Sequence, residues 1–197
     1  MLKSKKQQAV ALIILLVSLT AIRMWAGPEA PKQEFEIQKV DEQVVLYTLY
    51  RGSYEKAGAA IGKLFALAGQ KGIRPAGNAY FTYLNNPELV SNKHWLTEIR
   101  LPVNKEALKL AGSLGEFTDI KKLPAMKTAT AIKPKGTTNA GELLSILYAW
   151  IFKNGFTPVD AHSERFLENV TSGDYAQMKT RIIIPVRKIE KSKKPTK

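Results

Sequence analysis

One carboxylate in this sequence stands where a strand could turn it to chemical use. Along Trp95 to Val103 (WLTEIRLPV), Thr97, Ile99, Leu101 and Val103 alternate with Glu98 and Arg100. In a strand the first set faces packed helices and the second the opposite side of the sheet. By alternation alone, such a glutamate is a solvated strand carboxylate. Other chemistry is excluded by residue type. Cysteine is absent, which removes disulfides, thiolate metal sites and a thiol nucleophile, and His94 and His162 are too few for a histidine-based zinc site. Gly136-Thr-Thr-Asn-Ala-Gly141 has phosphate-loop spacing, but Glu142 occupies the lysine position and would repel phosphate. Gly58-Ala-Ala-Ile-Gly62-Lys63 is one residue short of that loop and lies in a helical stripe, where its small residues are expected to allow close packing on a sheet.

The elements that must position Glu98 occupy the middle of a chain of 197 residues, 45% of them hydrophobic, enough for a sizeable core. Its net charge of +13 is unevenly placed. Residues 1–33 hold five bases against one acid, residues 187–197 six against one, and the stretch between them 19 against 15. The folded part is therefore only mildly basic, nucleic acid is disfavoured as a partner, and residues 187–197 read as a basic disordered tail.

Residues 1–33 carry a membrane signal. Lys3, Lys5 and Lys6 precede the uncharged run Ala9 to Ile22 (AVALIILLVSLTAI), followed by Arg23, Trp25 and the breaker Gly27-Pro28. Counted to Trp25, the run reaches about 17 residues, the lower limit for a span. Positions before Ala26, Gly27 and Ala30 lack the small-residue pair that cleavage requires, so the segment is expected to remain as a single-pass signal anchor, a transmembrane helix. The lysines hold the N-terminus in the cytoplasm and send the domain, residues 34–186, to the periplasm or cell exterior from an inner or plasma membrane.

Within 34–186 the elements repeat. Strands are expected at Phe35 to Val40, Val44 to Arg51, Ala79 to Leu84 and Trp95 to Val103. Between them lies a helix capped by Ser53, with Tyr54, Ala57, Ile61, Leu64, Phe65 and Ala68 as its stripe and Gly72 as its end. The second half reads as strands at Ala125 to Lys133, Glu164 to Val170 and Ala176 to Val186. Its helix opens on an Asn139–Glu142 capping box, carries Leu143, Leu144, Leu147, Trp150 and Ile151, and closes at Gly155. Gly72 and Gly155, Pro75 and Pro158, and Leu101-Pro102-Val103 and Ile184-Pro185-Val186 are each 83 residues apart, whereas Gly52 and Gly136 differ by 84, a one-residue gap. The expectation is an α+β fold of tandem βαββ repeats, about 34–103 and 125–186, forming a curved antiparallel sheet with two helices on one face.

Arg51-Gly52-Ser53-Tyr54, Gly72-Ile73-Arg74-Pro75-Ala76-Gly77, Tyr83-Leu84-Asn85-Asn86-Pro87 and Thr97-Glu98-Ile99-Arg100-Leu101-Pro102-Val103 together resemble the gyrase-inhibitor-like (GyrI-like) small-molecule-binding domains, which also serve as effector-binding domains of bacterial transcription activators. The resemblance implies a ligand pocket between two repeats, where a carboxylate and aromatic rings receive cationic or flat amphipathic molecules. It carries Glu98 over as the pocket acid and Tyr83 as a pocket aromatic, with Tyr50 and Trp95 as further ligand-binding candidates. The sequence departs from the family in holding the Thr-Glu-Ile motif in its first unit, and the 83-residue offset sets Arg181 at the matching place in the second. If the halves are related by a pseudo-twofold, Glu98 and Arg181 face each other across the pocket, and a paired Glu98 favours neutral or anionic ligands over cations.

The function expected is a membrane-anchored, extracytoplasmic module that senses or sequesters a small hydrophobic or amphipathic ligand, without a cofactor. One alternative is a hydrolase of strained, cyclopropane-type toxins in which Glu98 and Tyr83 act as base and acid. Another is a protein-interaction module with an unknown partner. A related haem-binding fold ranks lower, because neither histidine is linked to a pocket by the sequence.

Overall fold

A computed structural model of the chain describes residues 33–137, 140–168 and 178–190. The apolar run Ala9 to Ile22 and most of the basic tail lie outside the described residues, among which no helix is long and apolar enough to cross a membrane.

The first half runs β1 (Phe35–Val40), β2 (Gln43–Arg51), α1 (Tyr54–Gln70), β3 (Tyr80–Tyr83) and β4 (Leu96–Val103). The second runs β5 (Thr118–Leu123), β6 (Met126–Lys133), α2 (Gly141–Lys153), β7 (Phe156–Pro158), β8 (Ser163–Phe166) and β9 (Thr180–Lys188). All described strands join one antiparallel sheet in the order β1-β6-β9-β8-β3-β4-β2-β5, with β7 also beside β9. The fold class is the expected α+β sheet with both helices on one face.

Strand registers show how literal the duplication is. Leu46 pairs with Leu101 on β4 and Ala129 with Ile184 on β9; Tyr80 pairs with Arg100 and Ser163 with Ile183. Each second pair is the first shifted by 83. The offset also holds on both sides of the Gly136 loop, so the one-residue shift there is local and is cancelled before Gly155. β3 meets β8 at the centre, where Phe81 pairs with Glu164, two residues also 83 apart, and the pseudo-twofold passes between them.

The repeat is longer than expected. β5, from Thr118, is the counterpart of β1, so the unit is ββαββ and its second copy begins before Ala125. Sequence periodicity misses β5 because TDIKKL carries one apolar core residue, Ile120, amid charges, as suits an edge strand protected from further pairing. The two edge strands are exchanged between the halves: β1 pairs with β6 (Ile37 with Ala129), and β5 with β2 (Leu46 with Ile120). β7 answers the isolated bridge of Pro75 to Val103 with its own pair, Pro158 to Val186. β9 continues to Lys188, two residues into the expected tail.

Each helix covers its own core. Ala57, Ile61, Leu64 and Ala68 of α1 pack on Val44, Leu46, Ile99 and Leu101, whereas Phe65 is exposed. Leu147 and Ile151 of α2 pack on Ala129, Ile182 and Ile184. A fully buried Leu or Ile contributes about 1.5–3 kcal/mol by leaving water. Both helices end on a left-handed glycine, Gly72 at φ +65° and Gly155 at φ +75°. The N-terminal expectations are met less well. Ser53 holds the cap position of α1 without a side-chain capping bond, and Ala140 caps α2, leaving Asn139 outside the described residues. Gly62 faces open space instead of the sheet, since a Cβ there would meet nothing within 4 Å.

Candidate functional site

A cavity of about 820 Å³ opens on the helix-bearing side of the sheet, between the N-terminal turns of α1 and α2 and over the β3–β8 seam. Its position follows from the duplication: each helix covers its own half, and the seam lies between the two covers. Tyr54 comes from the first turn of α1, Leu144 and Tyr148 from α2, and Phe81 and Glu164 from the centre of the sheet.

Glu164 is the buried acid of this cavity, whose rim also carries the exposed Glu88. Glu164 is 7% exposed, and its Oε2 accepts from Lys133 Nζ at 3.1 Å and from Thr180 Oγ1 at 3.0 Å. The Lys133 side chain is itself only 5% exposed. A buried charge must be paired or it neutralises, and here each charge supplies the other's partner, leaving the floor polar but without net charge.

Aromatic rings build the wall above it. Trp95 stacks on Tyr54 with centroids 4.3 Å apart, Tyr54 meets the Tyr83 ring edge-on at 4.8 Å, and Tyr83 lies against His162 at 4.9 Å. Trp95 Nε1 donates to the carbonyls of Val90 and Pro87, which fixes its plane. Burial pushes the Tyr83 phenol well above its ordinary range, and nearby Glu164 and Tyr54 add to this; burial also raises Tyr54, with Glu164 assisting. His162 is pulled down by burial against the opposing pull of Glu164, which favours a neutral ring. The Tyr54 hydroxyl is buried with no hydrogen-bond partner, so a ligand acceptor would satisfy it.

The sequence candidates are divided by this geometry. Tyr83 and Trp95 line the cavity. Tyr50 packs at the edge of the first core, its hydroxyl lying against Gly52, and does not line the cavity. Glu98 is 5% exposed on the face away from the helices, where it forms ion pairs with Arg100 Nε and, at 2.7 Å, with Lys121 Nζ. Arg181 also lies on that face, half-buried. The two are pseudo-symmetric mates, but Arg100 and Lys121 are the cations that pair with Glu98, and they do so outside the cavity. Glu164, Lys133, Tyr54 and His162 escaped sequence reasoning. A signal did exist for Glu164: the 83-residue offset sets it opposite Phe81, an acid at the place of a core phenylalanine.

Residues 12–104 match the family model of the GyrI-like small molecule binding domain. Among solved structures, the C-terminal domain of EcmrR superposes with a TM-score of 0.60 at 17% identity, over 80% of this chain and 99% of that one. The EcmrR–DNA complex gives 0.62 at 16% identity, over 94% and 69% of the two chains. A hydrolase from Listeria innocua gives 0.57 at 14% identity, over 85% and 97%. At such identities these structures establish the fold alone. No curated protein sequence matches significantly. The described fold and the family match over residues 12–104, just under half of the chain, agree with each other.

Proposed function

We propose that the domain binds a flat hydrophobic or amphipathic small molecule in the cavity between α1 and α2, sensing or sequestering it, and that the run Ala9 to Ile22 tethers the domain to a membrane with its bulk outside the cytoplasm. The observation that carries the binding reading is the aromatic wall of Tyr54, Trp95, Tyr83 and His162 standing over a buried Glu164–Lys133 pair. Apolar walls supply most of the binding energy, and few polar groups set orientation. Because Lys133 already neutralises Glu164, the site favours neutral or zwitterionic aromatic ligands over cations. The tether rests on the basic cluster and apolar run of the sequence.

Thermal unfolding of the full chain with flat cationic, neutral and anionic amphiphiles tests the pocket. Neutral or zwitterionic compounds are expected to stabilise it by more than about 1 kcal/mol at saturating concentration, and Trp95→Ala to weaken the effect. No stabilisation by any class, or stabilisation indifferent to Trp95, rejects the pocket reading. Topology is tested separately with a reporter enzyme, active only outside the cytoplasm, fused after Lys197; an inactive fusion rejects the tether. A hydrolytic reading gains one specific observation: Glu164 and the unpartnered Tyr54 hydroxyl share the cavity, whereas Glu98 lies outside it. Product formation with bound compounds, abolished by Glu164→Gln, is its measurement.

A further inference from the structure

The face of the sheet turned away from the helices holds a constellation that the cavity does not use. Arg181 on β9 pairs with Arg165 on β8, Arg165 with Tyr80 on β3, and Tyr80 with Arg100 on β4. Directly paired residues project to the same side at about 5 Å spacing, so three guanidinium groups and a phenol form one row across four strands. The Arg165 and Arg100 guanidiniums lie 4.8 and 5.8 Å from the centre of the Tyr80 ring.

Charge along this row is unevenly compensated. Glu98 takes Arg100 and Lys121. Among the described residues neither Arg165 nor Arg181 has an acidic partner. Arg165 reaches the Tyr80 hydroxyl and donates a long Nη2 bond, 3.4 Å, to Gln43 Oε1, but its Nε is buried with no acceptor. Like charges directly opposite each other on neighbouring strands repel, and a buried N–H without an acceptor costs stability. The other side of the pseudo-twofold shows the contrast: the mates of Tyr80 and Arg165 are Ser163 and Thr82, whose hydroxyls bond each other at 2.9 Å. The Arg165–Gln43 contact also joins β8 to β2 across two intervening strands, roughly 14 Å on a flat sheet. This face is therefore concave and walls its centre.

We infer that the concave face is a second binding site, which takes a phosphate-type oxyanion between Arg165 and Arg181, beside Tyr80 and Arg100. Such an anion removes the repulsion of the paired arginines and accepts from the orphaned Arg165 Nε–H, and guanidinium forks match its geometry. Free phosphate and a phospholipid headgroup present the same chemistry.

The full chain in non-ionic detergent is titrated calorimetrically with inorganic phosphate against chloride at matched ionic strength. Arg165→Gln and Arg181→Gln are expected to weaken binding at least about tenfold, and Lys122→Gln, on the exposed pair with Glu42, to leave it unchanged. Arg181→Gln removes one of two repelling charges, so its melting temperature in chloride should equal or exceed the parent's, and a lower value counts against the proposed repulsion. A parallel arm compares phosphatidate with phosphatidylcholine vesicles. Arg181-dependent binding of free phosphate assigns a soluble anion; binding of phosphatidate vesicles alone assigns a headgroup. Binding in neither arm, or binding equal in Arg181→Gln and the parent, overturns the site. Ligand binding in the α1–α2 cavity is measured separately, so either site can fail without the other.

Discussion

Phe81 and Glu164 occupy equivalent positions in two halves that share strand registers at a constant offset of 83, yet one is a core ring and the other the cavity's carboxylate. Around them the halves diverge in the same sense. His162 answers Ala79, and Lys133 answers Tyr50. The backbone duplication builds a symmetric frame, and the departures from symmetry on its helix side supply the site's polarity. On the other side of the sheet the same operation relates Glu98 to Arg181, and there too only one member of the pair is neutralised.

The largest effect should come from removing Glu164, the acid that lacks a symmetric counterpart. Glu164→Ala leaves the Lys133 ammonium buried without its carboxylate and is expected to cost about 3–5 kcal/mol in urea unfolding. Combining Lys133→Met with Glu164→Leu should recover most of that loss, because a well-packed apolar pair replaces a buried ionic one. A loss below about 1 kcal/mol in the single variant would mean that the ammonium is held by another partner or by water.

Positions where the halves agree should respond alike. Leu101 and Ile184 are pseudo-symmetric and both fully buried, so Leu101→Ala and Ile184→Ala should each cost about 2–5 kcal/mol. Widely unequal values would show that the two cores, one under each helix, are packed to different standards.

Glu98→Gln should cost less than Glu164→Ala, about 1–2 kcal/mol, because the Lys121 side chain is 34% exposed and keeps water as an alternative partner. Equal losses at the two glutamates would remove the distinction between the faces.

The smallest effect is the pH dependence of His162, whose counterpart Ala79 cannot titrate. Burial lowers its folded pKa below the ordinary 6.5, so at acid pH the unfolded chain binds more protons than the folded one. Its stabilising contribution is complete above pH 6.5 and is lost as pH falls through the folded value. Denaturation of the parent should therefore weaken relative to His162→Gln as pH drops from 7.5 toward 5, and parallel curves would place His162 in water.

Much of the frame is legible in the sequence. Glycine and proline landmarks exposed the duplication because helix ends and bridge positions demand those residues wherever they recur, as Gly72 and Gly155 illustrate with their left-handed φ. The alternation in β4 correctly separated the residues under α1 from Glu98, since strand periodicity is a local property. Tyr83 and Trp95 were drawn to the cavity by the family resemblance, and nothing local distinguished them from ordinary packing rings.

Local spacing records which segments form strands and helices, which residues are apolar, and that the chain is built twice. Which cations each acid pairs with, and which acid enters the cavity, follow from the tertiary structure. Glu98 and Glu164 both sit in strands, but the exchange of edge strands brings Lys121 of β5 to Glu98, and β6 with β9 brings Lys133 and Thr180 to Glu164. Those partners lie 23, 31 and 16 residues away along the chain. A charge partner at that range is chosen by sheet order and register, which no local pattern records.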